Sequence, residues 1–114
     1  MTEATYTYER STCLIEFPEP EPTIEEMIAE YDWDTEKAIA IMQCESRGNP
    51  EAINSNATTK DYSVGLFQIN LYGELRNHRP SEEWLKVARN NIEYAYSLWE
   101  ETRSFNRHWV NCSK

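Results

Sequence analysis

The sequence predicts a mainly α-helical domain, with several helices around a central buried helix and a small β-hairpin beside a cleft. Three observations carry that reading. Apolar residues recur at helical spacing in three separate segments. A capping residue precedes each of them: Thr23, Asp34 and Ser81. Between the second and third segments lies a polar, turn-rich stretch over residues 51–62, followed by Gly65.

The chain of 114 residues has room for one compact domain. Residues 1–22 form an arm and spacer, and residues 23–114 the domain. Tyr6, Tyr8, Cys13, Leu14, Ile15 and Phe17 alternate loosely, as a short strand or docked arm would. Pro18-Glu19-Pro20-Glu21-Pro22 is a stiff acidic spacer, because each proline fixes its own φ and restricts its predecessor. Thr23-Ile24-Glu25-Glu26 is a capping-box pattern, and Ile24, Met27, Ile28 and Tyr31 give a first helix to about Tyr31. Asp34 caps a second helix from Thr35 to about Arg47, which Gly48 and Asn49-Pro50 end. Ser63-Val64 reads as the last strand of a hairpin built from 51–62. Beyond it, Leu66, Phe67 and Ile69 point into a core. Leu85, Ala88, Ile92, Ala95 and Trp99 mark a core face that runs to about Glu101, as one helix or two broken near residues 87–89. Phe105, Trp109 and Cys112 in the tail fold back on the core.

Charge narrows the function. The net charge is −9, from 20 acidic against 11 basic residues, which disfavours a nucleic-acid partner because phosphate contacts need clustered Lys and Arg. No apolar run approaches the ~20 residues of a membrane span. The first residues lack the basic start and apolar block of a signal peptide. Neither the three cysteines nor the two histidines have metal-ligand spacing, so no metal and no cofactor is expected.

Chemistry concentrates between Ala38 and Asn70. Counting back from Glu45 by three, four and seven residues gives Met42, Ile41 and Ala38, so the acid emerges on the apolar face of its helix. It also sits at the carbonyl end. Both features disfavour the charged form and raise the pKa, which suits a general acid. The alternative is a glutamate at a helix end with its side chain in water. Gln68 and Asn70 carry amides suited to sugar hydroxyl and N-acetyl groups, and Gln68 also fits the role of a buried amide holding a loop.

These residues resemble the lysozyme-like superfamily, closest to its soluble lytic transglycosylase and goose-type lysozyme branch. The resemblance rests on Glu45-Ser46-Arg47-Gly48-Asn49-Pro50 with Ala52 and Asn54, then Ser63-Val64-Gly65-Leu66-Phe67-Gln68-Ile69-Asn70. Asn90-Asn91-Ile92 with Ala95, and Trp109 near the end, are weaker matches. It covers about residues 33 to 112 and implies an α+β lysozyme-like fold. It also implies cleavage of peptidoglycan between N-acetylmuramic acid and N-acetylglucosamine, with Glu45 as the catalytic acid. In animal lysozymes an aspartate stands two residues before the glycine of the turn. Here Ser63 takes that place and Asp61 lies four before Gly65. Asp61 or a water on Ser63 as second group implies hydrolysis. Glu45 acting alone implies the anhydro product of a lytic transglycosylase. Gln68 and Asn70 are expected in the cleft floor, with Tyr72 or Tyr94 against sugars. Cys44 and Cys112 are a candidate disulfide, which would imply an extracytoplasmic setting. The partner implied is the peptidoglycan glycan strand. Two further readings compete: a catalytically silent lysozyme-like module that binds glycan, and a component of a phage or secretion assembly tethered through its N-terminal arm.

Overall fold

The computed structural model of the protein describes residues 20–114, so the expected N-terminal strand or arm and Cys13 lie outside the described residues. The described chain is an α+β domain of helices and one small antiparallel sheet. Its order is helix α1 (Ile24–Ile28), helix α2 (Thr35–Ser46), strands β1 (Ile53–Asn56), β2 (Asp61–Val64) and β3 (Ile69–Asn70), a 3-10 helix (Gly73–His78), helix α3 (Glu82–Leu85) and helix α4 (Ala88–Thr102). Among the described residues, no helix is long and apolar enough to cross a membrane.

Local chemistry sets the helix ends. The Thr23 hydroxyl accepts from the Glu26 amide and the Glu26 carboxylate accepts from the Thr23 amide, the capping box expected from the sequence. Helix α1 stops at Ile28, short of Tyr31, because the indole N–H of buried Trp33 donates to the Ile28 carbonyl at 2.8 Å. Asp34 caps α2 through the Lys37 amide. That helix ends as Arg47 and Gly48 enter the left-handed region at φ 56° and 80°. Helix α2 buries Ala38, Ile41, Met42 and Ser46, while Gln43 and Cys44 face water. The third helical segment is two helices. Ser81 caps α3 through the Trp84 amide, and Val87 is extended at φ −88°, ψ 123°, between α3 and α4.

The sheet is a three-stranded antiparallel meander rather than a lone hairpin. Ile53 pairs with Val64 and Asn56 with Asp61, then Ser63 pairs with Asn70. The third strand arises because the turn after Gly65 returns Ile69 and Asn70 to β2. Side chains alternate along β2, so Tyr62 and Val64 face away from Asp61 and Ser63. Tyr62 reaches Glu82 of α3 at 2.9 Å, and Val64 is fully buried.

The core joins Ile28, Ile41, Met42, Leu66, Phe67, Leu85, Ile92 and Leu98 to an aromatic cluster. Trp33 lies at its centre, with ring centroids 5.5 Å from Phe67, 5.7 Å from Phe105 and 6.3 Å from Trp99. Burying each such ring contributes roughly 2–3 kcal/mol. The tail closes this cluster as expected: Phe105 and Trp109 are buried, and the Trp109 indole donates to the Phe67 carbonyl at 2.8 Å.

One polar residue, Asn91, is fully buried on α4. Its Oδ1 accepts from the Phe67 amide at 2.8 Å, and its Nδ2 donates to the Val64 and Leu85 carbonyls at 2.9 and 3.0 Å. Gly65, at φ 82°, makes room for it. A Cβ there would stand 2.2 Å from Asn91 Nδ2 and 2.5 Å from the Leu85 carbonyl oxygen. Asn91→Ala strands a buried N–H and two carbonyls, so it should cost about 3 kcal/mol in urea unfolding. A loss under about 1 kcal/mol would show that this amide does not brace the fold.

Candidate functional site

A cleft of about 500 Å³ runs between the sheet and the C-terminal tail. Asn54, Ser55, Asn56, Thr59, Asp61 and Ser63 form the sheet wall, and His108, Trp109, Val110 and Asn111 the opposite wall. Glu45 and Gln68 also line it. No lysine or arginine is among the lining residues, so the cleft is polar and acidic.

Glu45 reaches the cleft from the last turn of α2, where Ile41 and Met42 bury the same face. Burial, and secondarily the negative charge of Asp61, push its carboxyl up from 4.5 to about 6. The direction matches the expectation from sequence. The second cause does not: a carboxylate across the cleft supplies it, not the helix end alone.

Asp61 enters the cleft without a bulge. The β1–β2 register is unbroken through Asn56 and Asp61, and the hairpin end carries the carboxylate far enough. Its Oδ2 accepts from the Thr59 hydroxyl at 2.5 Å and its Oδ1 from Asn70 Nδ2 at 3.3 Å. Ser63 lines the cleft two residues along the same face.

Gln68 lines the cleft while its amide is committed to the fold. Its Nε2 donates to the Gly65 and Ala52 carbonyls at 2.9 and 3.2 Å, and its Oε1 accepts from Asn54 Nδ2 at 2.7 Å. These bonds tie the turn to the start of the sheet and hold Gln68 at φ 52°, where a non-glycine residue is strained.

Three residues expected against sugars, Asn70, Tyr72 and Tyr94, do not line this cleft. The Asn70 amide is spent on backbone: it accepts from the Tyr62 and Tyr72 amides at 3.0 and 2.9 Å and donates to the Lys60 carbonyl at 3.2 Å. Its remaining contact is the one to Asp61, so it orients that carboxylate rather than facing the cleft. Tyr72 is exposed ahead of the 3-10 helix, and Tyr94 on α4 packs against the core.

The tail wall is the part that sequence reasoning missed. His108 and Asn111 sit in an aperiodic segment, and the only signal there was the aromatic Trp109 beside Cys112. A disulfide joins Cys112 to Cys44, directly before Glu45 in the chain. It closes a separation of 68 residues and fixes the tail wall to the helix that carries Glu45. A bridge of this kind contributes typically 2–4 kcal/mol.

The position of Glu45 leaves a signature in stability. Its folded pKa lies above the ordinary value, so its contribution is fully present below about 4.5 and is lost as pH rises through about 6. Glu45→Gln should therefore stabilise the protein at pH 7.5 by roughly 1 kcal/mol, half the full displacement because water still reaches the carboxyl. The gain should vanish at pH 4, which urea titrations at the two pH values measure. An equal effect at both would contradict a raised pKa.

The fold agrees with one comparison: a family model described as a lysozyme-like domain matches residues 29–110. No curated protein and no solved structure matches the chain.

Proposed function

This chain belongs to the lysozyme-like domain family, and we propose that it cleaves the β-1,4 bond between N-acetylmuramic acid and N-acetylglucosamine in peptidoglycan. The observation that carries the proposal is Glu45, a carboxyl raised to about 6 and aimed into a cleft that also holds Asp61. Near pH 6 a substantial share of Glu45 is protonated. It donates that proton to the glycosidic oxygen as the C1–O bond breaks, and the leaving sugar departs with a 4-hydroxyl. In lysozymes generally, a glutamate in an apolar pocket and an aspartate in a polar one divide the acid and stabilising roles in this way.

Asp61 has two effects in this scheme. Its negative charge favours the protonated form of Glu45, and it stabilises the positive charge that develops on the sugar ring. The Glu45 carboxylate then takes a proton from the attacking hydroxyl and is restored as the acid. That hydroxyl belongs either to water, giving a hydrated reducing end, or to C6 of the same sugar, giving a 1,6-anhydro end. The polar wall of Asn54, Ser55, Asn56 and Thr59 supplies donors and acceptors for sugar hydroxyl and N-acetyl groups.

We propose an extracytoplasmic site of action, supported by the Cys44–Cys112 bridge, since such bridges persist in oxidising compartments. The net charge of −9 repels an anionic wall at long range, which favours delivery within a larger assembly over free diffusion.

Incubation with purified peptidoglycan and mass spectrometry of the released muropeptides tests the reading. The wild type should release muropeptides, with kcat/KM falling as pH rises through about 6, and Glu45→Gln should lose at least roughly a hundredfold. Anhydro ends would assign the second step to the sugar's own hydroxyl, and hydrated ends to water. Equal release by both proteins would remove Glu45 from the chemistry. No release by the wild type would leave a glycan-binding module.

A further inference from the structure

A second, smaller cavity of about 200 Å³ adjoins the cleft and shares His108 and Trp109 with it. Its polar lining differs in sign from that of the cleft. Arg79, Arg107 and Asn70 stand there, over an apolar base that includes Leu98. Arg79 is fixed, because its Nη1 donates to the Asn70 carbonyl at 2.9 Å. Among the described residues, neither arginine is in an ion pair. In a chain with an excess of nine acids, two guanidinium groups at one cavity with no carboxylate partner among the described residues are unusual company.

His108, on the ridge between the two spaces, adds a third group. Among the described residues, its Nε2 is buried without a hydrogen-bond partner, and a carboxylate oxygen of Glu101 lies 3.9 Å away. Burial and then the charge of Arg79 hold its pKa below the ordinary histidine value, Arg107 acting in the same direction. An anion seated between the arginines would remove that repulsion and offer His108 an acceptor.

We propose that the Arg79–Arg107 cavity binds a carboxylate of the peptide stem carried by the N-acetylmuramic acid in the cleft. The inference rests on the glycan reading above for the strand's position. A sugar in the cleft hangs its lactyl-linked stem to one side, and the His108–Trp109 ridge is a wall over which a stem passes into the cavity. The acidic cleft holds the neutral sugars, and the cationic cavity holds the charged substituent. Guanidinium matches a carboxylate with two parallel hydrogen bonds, which fixes which sugar occupies which place.

The test compares peptidoglycan strands bearing native stems with the same strands whose stem carboxyls are amidated. Arg107 is exposed, so Arg107→Glu changes charge without emptying the core. The ratio of kcat/KM on native to stem-amidated strands should fall about tenfold or more in Arg107→Glu, and less in Arg107→Lys. An unchanged ratio would overturn the proposal. A second arm is independent of cleavage: the free stem tetrapeptide, its form with every carboxyl amidated, and inorganic phosphate are each titrated against the wild type. Backbone amide shifts at residues 107–109 are followed by NMR. Saturable shifts with the tetrapeptide alone, lost in Arg107→Glu, support a stem site. Equal shifts with phosphate or the amidated peptide, or none at all, overturn it. If the wild type cleaves neither strand, the glycosidase reading fails while this titration still decides the cavity.

Discussion

The fold depends on the contact between Gly65 and Asn91. Asn91 is a buried amide with three partners on two separate segments, and only a residue without a Cβ lets it approach. Through it, α4 fixes the carbonyl of Val64 and the amide of Phe67, the two sides of the turn that follows β2. Phe67 then seats its ring on Trp33 and presents its carbonyl to the Trp109 indole. The sheet wall, the aromatic core and the tail wall of the cleft are all referred to this one junction. Buried polar networks are favourable only when every member is satisfied, and this one is.

Two walls set the site's electrostatics. Helix α2 brings Glu45 to the edge of an apolar face, and β2 brings Asp61 to the end of a hairpin. Neither element alone produces a perturbed acid. Burial acts on Glu45 first, and the second carboxylate arrives through strand register, hydrogen-bonded by Thr59 and Asn70. The Cys44–Cys112 bridge keeps the far wall against the same helix. Chain connectivity, strand pairing and a covalent tie thus converge on one cavity, where burial first and the Asp61 charge second raise the Glu45 carboxyl.

Local features were legible in the sequence. The caps at Thr23, Asp34 and Ser81, the apolar register behind Glu45 and the turn at Gly65 each follow from interactions within a few residues. Long-range features were not. The stop of α1 at Ile28 needs the Trp33 indole, which no propensity reports. The β3 pairing depends on where the turn returns the chain. The bonds that the Asn70 amide makes to β-sheet backbone groups also depend on strand pairing, which no local pattern reports. Tyr72 and Tyr94 illustrate the same limit: aromatic side chains suit both core and surface, and position decides. The tail wall from His108 to Asn111 lacks any periodicity, so only its covalent and aromatic anchors, Cys112 and Trp109, marked it. Asn91 was visible as part of an Asn-Asn-Ile segment, but its role is a property of the assembled junction.

The central claim is that the fold delivers a protonated carboxyl at Glu45 to the cleft, with Asp61 supporting it across the gap. Carbon-13 NMR titration of the Glu45 side-chain carboxyl, in the wild type and in Asp61→Asn, measures this without any substrate. The account predicts a midpoint at about 6 in the wild type and a lower one in the variant, because removing the neighbouring negative charge relieves the penalty on ionisation. A midpoint near 4.5 in the wild type, or no change on removing Asp61, would contradict it.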